Sequence, residues 1–181
     1  TDNGNTWVQR ADDKVRNWQS IASGVSDILI AAESNGSLYH SITGGSTWIE
    51  ISDKPRKWQD VSVDAFGNYY TAVALGDYIY TANSNLVFEP KDSVKNWVSV
   101  DMNENGDVQV AVSFNNEVYK SVDSGNTWSI QIGIREITGV SMSSDGKYQA
   151  VVEQGGQIYI SSDSGVTWVS KESTRPWRSI D

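Results

Sequence analysis

The stretch of this chain that is most suggestive of chemistry is Ser-Val-Asp-Ser-Gly-Asn-Thr-Trp, residues 121–128. An aspartate beside hydroxyl groups and a glycine is compatible with a catalytic loop or a cation-binding turn. A second copy, Ser-Ser-Asp-Ser-Gly-Val-Thr-Trp, follows at residues 161–168. Because a catalytic group is needed once and a structural turn once per repeat, recurrence favours a structural role. The stretch also lacks the alternating Asp and Asn residues of a calcium loop, which disfavours calcium binding.

Related stretches at residues 1–7, 41–48 and 81–88 show that the whole chain is a repeat. The aromatic residues that close the five stretches follow one another at steps of 41, 40, 40 and 40 residues. They are Trp7, Trp48, Phe88, Trp128 and Trp168. Two further series run in phase with them: Trp18, Trp58, Trp97, Ile137 and Trp177, and Tyr39, Tyr80, Tyr119 and Tyr159. Three series in phase predict structural units of about 40 residues.

Each unit contains four segments rich in β-branched and aromatic residues, which we name A, B, C and D. In the last complete unit they are residues 137–143, 147–153, 157–161 and 167–172, separated by Asp-Gly, Gly-Gly and Asp-Ser-Gly turns. Consecutive hairpins of this kind, repeated along the chain, predict an all-β protein: a β-propeller of four-stranded antiparallel blades. A series of alanines in the B segments is expected where neighbouring blades crowd together. It comprises Ala31, Ala72, Ala111 and Ala150.

The repeat also predicts the limits of the blades within a single propeller. Residues 1–17 form a partial blade with strand D, and residues 177–181 form a partial blade with strand A. Complete blades are expected at residues 18–57, 58–96, 97–136 and 137–176. Joining the two partial blades still requires strands B and C, so we expect the remainder of a longer chain, or further copies, to close the propeller.

The repeated stretch resembles the Asp-box, or BNR, repeat, Ser/Thr-x-Asp-x-Gly-x-Thr-Trp/Phe. This family includes propellers of sialidases, other glycoside hydrolases, sortilin-type receptors and a photosystem assembly factor. The resemblance covers essentially the whole chain; it is specific for the fold and weak for function. The expected structural box residues are Asp2, Gly4, Trp7, Trp48, Phe88, Asp123, Gly125, Trp128, Asp163, Gly165 and Trp168. The aspartates should anchor the turn, the glycines supply positive φ and the aromatic rings wedge between sheets.

Two of the boxes depart from this pattern. The second box has Thr43 at the aspartate position, and the third, residues 81–88, has lost most of the polar turn but keeps Phe88. Survival of the aromatic residue while the polar turn changes is typical of a packing role. The third unit is therefore the least regular of the chain.

A candidate ligand site lies in the connections from D to A, where a basic residue precedes the A-strand aromatic by two positions. The resemblance implies that ligands bind on this face. The candidate binding residues are Arg16, Arg56, Lys95, Arg135 and Arg175, with Trp18, Trp58, Trp97 and Trp177. Guanidinium groups recognise carboxylates and phosphates, and tryptophans stack on sugars or on cations. The same repetition is equally compatible with a structural brace, in which each cation pairs with an acidic residue or stacks on its tryptophan.

The sequence does not favour an enzyme. A sialidase carries an Arg-Ile-Pro motif, and the nearest string, at residues 133–137, lacks the proline. No pair of carboxylates outside the boxes stands out as acid and base. The preferred function is therefore a non-catalytic binding or scaffold propeller that contacts a protein, a glycan or another anionic ligand through the D-to-A rim. The alternative is a segment of a sialidase-like or other glycoside hydrolase propeller.

Composition restricts the remaining possibilities. The formal net charge of −9 argues against binding to nucleic acid, and no apolar run is long enough to span a membrane. The chain has no cysteine and a single histidine, His40, which we expect to be solvated at a strand end. We therefore expect no metal site and no cofactor. The family resemblance, together with a glycosylation sequon at Asn35, favours an extracellular or secreted protein.

Overall fold

A computed structural model describes residues 5–11, 14–134 and 136–181. Every regular element among them is a β-strand, and none of them forms a helix that could cross a membrane. The strands are β1 Trp18–Ser23, β2 Leu29–Gly36, β3 Leu38–Ser41, β4 Ile49–Glu50, β5 Arg56–Val63, β6 Tyr69–Asn83, β7 Glu89–Met102, β8 Gln109–Ser113, β9 Glu117–Ser121, β10 Ser129–Ile132, β11 Ile137–Met142, β12 Gln149–Ser161 and β13 Val169–Pro176.

All strand pairs are antiparallel, and most join strands that are neighbours in sequence. In the first unit, residues 18–57, β1 pairs with β2, β2 with β3 and β3 with β4. In the third unit, residues 97–136, the second half of β7 pairs with β8, β8 with β9 and β9 with β10. This order is consistent with the predicted four-stranded units.

In the second and fourth units, residues 58–96 and 137–176, segments B and C lie in one strand. The first half of β6 pairs with β5 and its second half with β7. In the same way β12 pairs with β11 and then with β13. The halves meet at Gly76 and Gly155, both with φ of 69°. A Cβ at Gly155 would meet no atom within 4 Å, so the left-handed backbone, rather than lack of space, favours glycine there.

The register of the A and B segments corrects one member of the predicted alanine series. Ala31, Ala72 and Ala111 lie opposite Ile21, Val61 and Val100. In the fourth unit, the residue opposite Val140 is Val151, whereas Ala150 lies opposite Ser141. The prediction of Ala150 is therefore wrong by one residue, which places its side chain on the other face of the sheet.

The core of the protein lies between neighbouring units. Ile30, Ala32 and Leu38 of the first unit pack against Trp58, Val61 and Ala72 of the second. Between the third and fourth units, Val110, Val112 and Val118 pack against Ile137, Val140 and Val151. Both faces of an inner sheet are thus buried, which explains why its B segments are apolar without clear alternation.

His40 is not a solvated residue, as the sequence suggested, but is only 6% exposed. Its Nε2 lies 3.1 Å from the Tyr70 hydroxyl, and the two rings meet edge to face at 5.4 Å. The second unit covers the end of β3, and burial lowers the pKa of His40. His40 therefore belongs to the packed junction between the first two units.

Candidate functional site

The aspartates of the two complete boxes are anchors of their own turns. The Asp123 carboxylate accepts hydrogen bonds from Thr127 N at 2.9 Å and Thr127 Oγ1 at 2.6 Å. Asp163 makes the same bonds with Thr167, at 2.8 and 2.6 Å. These threonine hydrogen bonds lower the pKa of both carboxyls, that of Asp163 to about 2. Each carboxylate therefore accepts its hydrogen bonds from residues of its own turn.

The second box retains this turn without a charge. Thr43 Oγ1 accepts a hydrogen bond from Thr47 N at 2.9 Å and lies 2.9 Å from the Thr47 hydroxyl. A hydroxyl thus replaces one carboxylate oxygen. In the third box, Asn83 Oδ1 instead accepts from Asn85 N, and Asn85 Oδ1 accepts from Val87 N, which makes two consecutive Asx turns.

The box aromatics are half-buried with one exception. The indole Nε1 atoms of Trp48, Trp128 and Trp168 donate to a glycine carbonyl of their own turn at 3.0 to 3.1 Å. Trp128, Trp168 and Phe88 pack against the clusters between units. The wedge expected at Trp7 does not form, because its side chain is 90% exposed. Asp2 and Gly4 lie outside the described residues.

The D-to-A connections lie along the B-to-C turns, which together form one rim of the molecule. Arg56 pairs with Gly36, Lys95 with Asp77, and Arg175 with Gly156. Strand register thus places these basic residues at corresponding positions of successive units. Arg135 lies outside the described residues, so the rim is defined here by the other members of the basic series.

Each of these rim cations lies over an aromatic ring. The Arg56 guanidinium carbon is 4.3 Å from the Tyr80 ring centroid and 5.4 Å from that of Trp58. Lys95 Nζ lies 5.2 Å from the Tyr119 centroid. The corresponding distances are 4.8 Å from Arg16 to Tyr39, 5.5 Å from Arg16 to Trp18 and 5.8 Å from Arg175 to Trp177. These are cation–π distances.

Carboxylates complete the arrangement in the second and third units. Asp77 Oδ2 lies 3.6 Å from Arg56 Nε, and Asp77 Oδ1 accepts a 2.9 Å hydrogen bond from the Tyr80 hydroxyl. Arg56 also pairs with Asp53 at 2.5 Å, and its hydrogen bond lowers the pKa of that carboxyl.

At the end of the second unit, Lys95 Nζ lies 3.1 Å from Oε2 of Glu117 in the third unit, and this oxygen accepts from the Tyr119 hydroxyl at 3.1 Å. Cation, tyrosine and carboxylate therefore form a triad in both units. The periodic tyrosine series was visible in the sequence, but its place beneath the cations was not.

Two of the predicted ligand-binding tryptophans cannot contact a ligand. Trp58 and Trp97 are 0% exposed because the preceding unit covers their rings. Trp18 is 42% exposed and Trp177 is half-buried. The geometry of the rim is thus that of a brace, in which Arg16, Arg56 and Lys95 contact tyrosines of the following unit.

A second candidate site, which sequence reasoning missed, is a polar cavity of about 710 Å³ between the A segments. It is lined by residues 19–23, 59–63, 98–101, 138–141 and 179–181. Counted from the A-strand aromatic position as the first, the third and fifth positions of the A segments are mostly Ser or Asp. Polar residues thus alternate with other residues along the A segments, with Asp60 in one unit and Asp101 in the next. This pattern in the sequence could have identified the face of the A segments that lines the cavity.

The Asp60 carboxylate bridges three units. Its Oδ1 accepts a hydrogen bond from Ser20 Oγ at 2.6 Å, and its Oδ2 accepts from Ser99 Oγ at 2.8 Å and Val100 N at 3.0 Å. Burial raises the pKa of this carboxyl. Asp60 therefore links A segments that do not hydrogen-bond to one another as strands.

Asp101 forms the next link along the cavity. Its Oδ1 accepts from Ser62 Oγ at 3.3 Å and Met102 N at 2.8 Å, and its Oδ2 accepts from Met142 N at 2.7 Å. Burial, with a smaller contribution from the nearby Asp60 charge, raises the pKa of Asp101 to about 6. No three carboxylates or histidines of residues 5–11, 14–134 and 136–181 cluster as a metal site.

No family model and no curated protein matches the chain. Among solved structures, it is similar to a GH74 enzyme of Niastella koreensis, with a TM-score of 0.68 and 14% identity over 84% of this chain and 24% of the enzyme. YCF48 from Cyanidioschyzon merolae matches with a TM-score of 0.69 and 11% identity, over 91% of this chain and 59% of YCF48. YCF48 bound to D1 peptide matches with a TM-score of 0.66 and 14% identity, over 92% and 57%.

The chain thus spans about a quarter of the GH74 enzyme and less than two thirds of YCF48. At these identities the likeness concerns the fold and not the activity. Both GH74 and YCF48 are β-propeller proteins. The antiparallel sheets, packed face to face through Trp58, Trp97 and their neighbours, and these likenesses together show that the chain has the β-propeller fold.

Proposed function

We propose that the chain is a non-catalytic binding propeller that contacts a protein partner through its D-to-A rim. The observation that carries this proposal is a group of exposed apolar residues on the rim. Leu75, Val94 and Phe114 are 38%, 54% and 44% exposed. Asn96 connects them: it pairs with Leu75, follows Val94 by two residues, and its carbonyl accepts a 2.8 Å hydrogen bond from Phe114 N.

The chemistry of this patch suits a protein surface. Cores of protein interfaces are rich in aromatic and aliphatic groups and are surrounded by polar residues. Beside the patch, the charge of Lys95 is balanced by Glu117. The rim therefore presents apolar side chains bordered by neutralised charge. Within this proposal, the basic residues Arg16, Arg56, Lys95 and Arg175 border the partner and hold the shape of the rim.

Three further features support the proposal. YCF48 bound to D1 peptide is an example of a propeller that binds a peptide. The bonds of Asp123 and Asp163 agree with an Asp-box assignment for their turns. Asn35 is exposed on a B-to-C turn, in agreement with a secreted or extracellular protein.

Selection of peptides on the immobilised full chain tests the proposal. Peptides enriched by phage display should bind Phe114→Ser and Leu75→Ser at least about tenfold more weakly than the unsubstituted chain. Phe66→Ser is the matched control, because Phe66 is 54% exposed on the turn between β5 and β6. If the selected peptides lose affinity for Phe66→Ser and keep it for Phe114→Ser, the rim is not the binding surface.

A glycoside hydrolase segment is the second candidate, because Asp101 has a raised pKa in a polar cavity, as general acids do. The hydrogen bonds to both of its oxygens favour a structural role instead. Assays with a panel of β-glucans should show no hydrolysis above that of buffer. Hydrolysis that Asp101→Asn abolishes would establish the enzyme and overturn the binding proposal.

A further inference from the structure

The turn from segment C to segment D is one residue shorter in the second unit than in the other three units. In the second unit, Thr81 pairs with Glu89, and the turn between them consists of residues 82–88. The corresponding turns are residues 41–48, 121–128 and 161–168. Strand register therefore places Thr81 at the position of Lys120 in the third unit, and not at the first position of a box, as its spacing in the sequence suggested.

At the junction between the third and fourth units, Lys120 contacts the box of the following unit. Its Nζ donates a 2.5 Å hydrogen bond to the backbone carbonyl of Ser164. Thr81 is too short to make the same contact with the third unit, although a Cβ at Gly125 would lie 2.6 Å from its methyl group. The Thr81 hydroxyl has no hydrogen-bond partner among the described residues, and the residue is only 7% exposed. The second unit thus leaves a polar group unpaired at this position.

A groove of about 220 Å³ lies between the second and third units at this place. Its lining includes Thr81, Val87, Glu89, Ser124 and Asn126. The box turns of the third and fourth units have the same backbone conformation, with φ of 57° at Ser124 and 60° at Ser164. The Ser124 carbonyl is therefore oriented towards the second unit, as that of Ser164 is towards the third. Unlike the Ser164 carbonyl, it accepts no hydrogen bond from residues 5–11, 14–134 or 136–181.

We propose that this groove binds a primary alkylammonium group in the place that the Lys120 side chain occupies at the next junction. The hydrogens of an ammonium group are all donors and require acceptors. The groove supplies the Ser124 carbonyl, the Thr81 hydroxyl and the side-chain carbonyl of Asn126. Val87 is 62% exposed and offers an apolar contact for the alkyl chain.

The charges and the amide orientation at the groove also suit a cation. Glu89 is neutralised by Lys91, whose Nζ lies 3.0 Å from the Glu89 carboxylate. The charge of the neighbouring Asp123 remains, and it would repel an anionic ligand. Asn126 donates from its Nδ2 to the Asp123 carbonyl at 2.8 Å, which leaves its Oδ1 as the atom available to a ligand. The groove thus combines free acceptors with a net negative charge.

Titration of the isotope-labelled full chain with n-butylammonium chloride, followed by amide chemical shifts, tests the proposal. The backbone amide signals of Ser124, Gly125 and Asn126 should shift saturably, whereas 1-butanol, which lacks the charge, should leave them unchanged. The same titration with the peptide acetyl-Gly-Gly-Lys-Gly-Gly-amide distinguishes two sources of the ammonium group. Tighter binding of the peptide identifies a lysine side chain of a partner protein, and tighter binding of butylammonium identifies a free amine. Absence of saturable shifts with both ligands overturns the proposal.

Exchange of residues between the two junctions is a sharper test. Thr81→Lys supplies an ammonium group from within the chain, as Lys120 does at the next junction. It should therefore weaken binding of butylammonium at least about tenfold and raise the melting temperature of the chain. Unchanged binding by a folded Thr81→Lys variant overturns the proposal.

The reverse exchange, Lys120→Thr, should open a second groove, so that the Ser164 amide signal also shifts with butylammonium. Lys147→Thr is the matched control and should give no second site, since Lys147 is exposed and contacts the same box only through its backbone carbonyl. A second site in the control but not in Lys120→Thr contradicts the proposal. Because the box turns and the D-to-A rim lie at opposite ends of the C segments, the result is independent of the proposed function of the rim.

Discussion

Thr71 donates a 2.7 Å hydrogen bond from its Oγ1 to the Oε1 of Gln109, across the buried junction between the second and third units. Gln109 Nε2 in turn donates to the Gly106 carbonyl at 3.0 Å. The equivalent Gln149 of the fourth unit donates to Gly146, but its buried Oε1 has no hydrogen-bond partner. The reason lies in the preceding unit, where Val110 occupies the position of Thr71.

We predict that Val110→Thr is tolerated unusually well for a buried position. Its hydroxyl should donate to Gln149 Oε1, as that of Thr71 does to Gln109, and so offset the cost of burying a polar group. The matched control is Val112→Thr, since Val110 and Val112 are both 0% exposed. Urea unfolding should show that Val110→Thr retains about 1 kcal/mol or more of stability relative to the control. Equal losses would contradict this account of Gln149.

The box aspartates should affect stability and not binding at the rim. Asp163→Ala removes the acceptor of both Thr167 hydrogen bonds, so the melting temperature at pH 7 should fall. Since the folded pKa of about 2 lies below the usual value of 3.8, the contribution is complete above pH 3.8 and is lost as pH falls through 2. Calorimetry from pH 2 to 7 measures it. Thr43→Ala is the uncharged control, whose effect should not depend on pH; identical pH profiles would count against the anchor role.

Asp101 should produce the opposite pH dependence. Its folded pKa of about 6 lies above the ordinary 3.8, so its contribution is fully present below pH 3.8 and is lost as pH rises through 6. A shift of this size corresponds to at most about 3 kcal/mol. Asp101→Asn should therefore flatten the dependence of unfolding free energy on pH between 4 and 7. An unchanged slope would show that another group, such as Asp60, dominates the titration.

Arg56 should behave as a brace. Its side chain is 8% exposed and contacts Asp53, Asp77 and the Tyr80 ring. Arg56→Ala should destabilise the chain by about 1 to 2 kcal/mol, because the Tyr80 ring loses its cation–π contact and the half-buried Asp77 loses its ion-pair partner. Lys57→Ala is the control, since its side chain is exposed on the neighbouring residue. Intact stability of Arg56→Ala together with loss of binding to an anionic peptide would instead identify the rim cations as a ligand site.

The repeat made much of the fold predictable. Because every unit must bury equivalent faces against its neighbours, the aromatic series at steps near 40 residues is strong enough to indicate β-strands and a propeller without any tertiary information. The box turns could also be predicted from the sequence, because Asp123 and Thr127 are close in sequence and their hydrogen bonds are local.

The candidate site was harder to predict from the sequence, because it depends on contacts between residues that are distant in sequence. The spacing of Arg56 and Trp58 suggested a shared surface, yet Trp58 is fully buried and Arg56 lies over Tyr80. The roles of Asp60 and Asp101 rest on partners about 40 residues away in neighbouring units. A pattern of residue types does not reveal which carboxylate receives such a bond.

The sequence by itself therefore determined the period, the strand-rich units and the local chemistry of the turns, since these follow from side-chain types and short-range geometry. Only the tertiary structure decided which residues are exposed. Packing of one unit on the next buries Trp58 and Trp97 completely and leaves Leu75 and Phe114 exposed, although all four side chains are apolar. The physical reason is that exposure depends on the junction between units and not on the residue type, so apolar side chains are core at one position of a unit and surface at another.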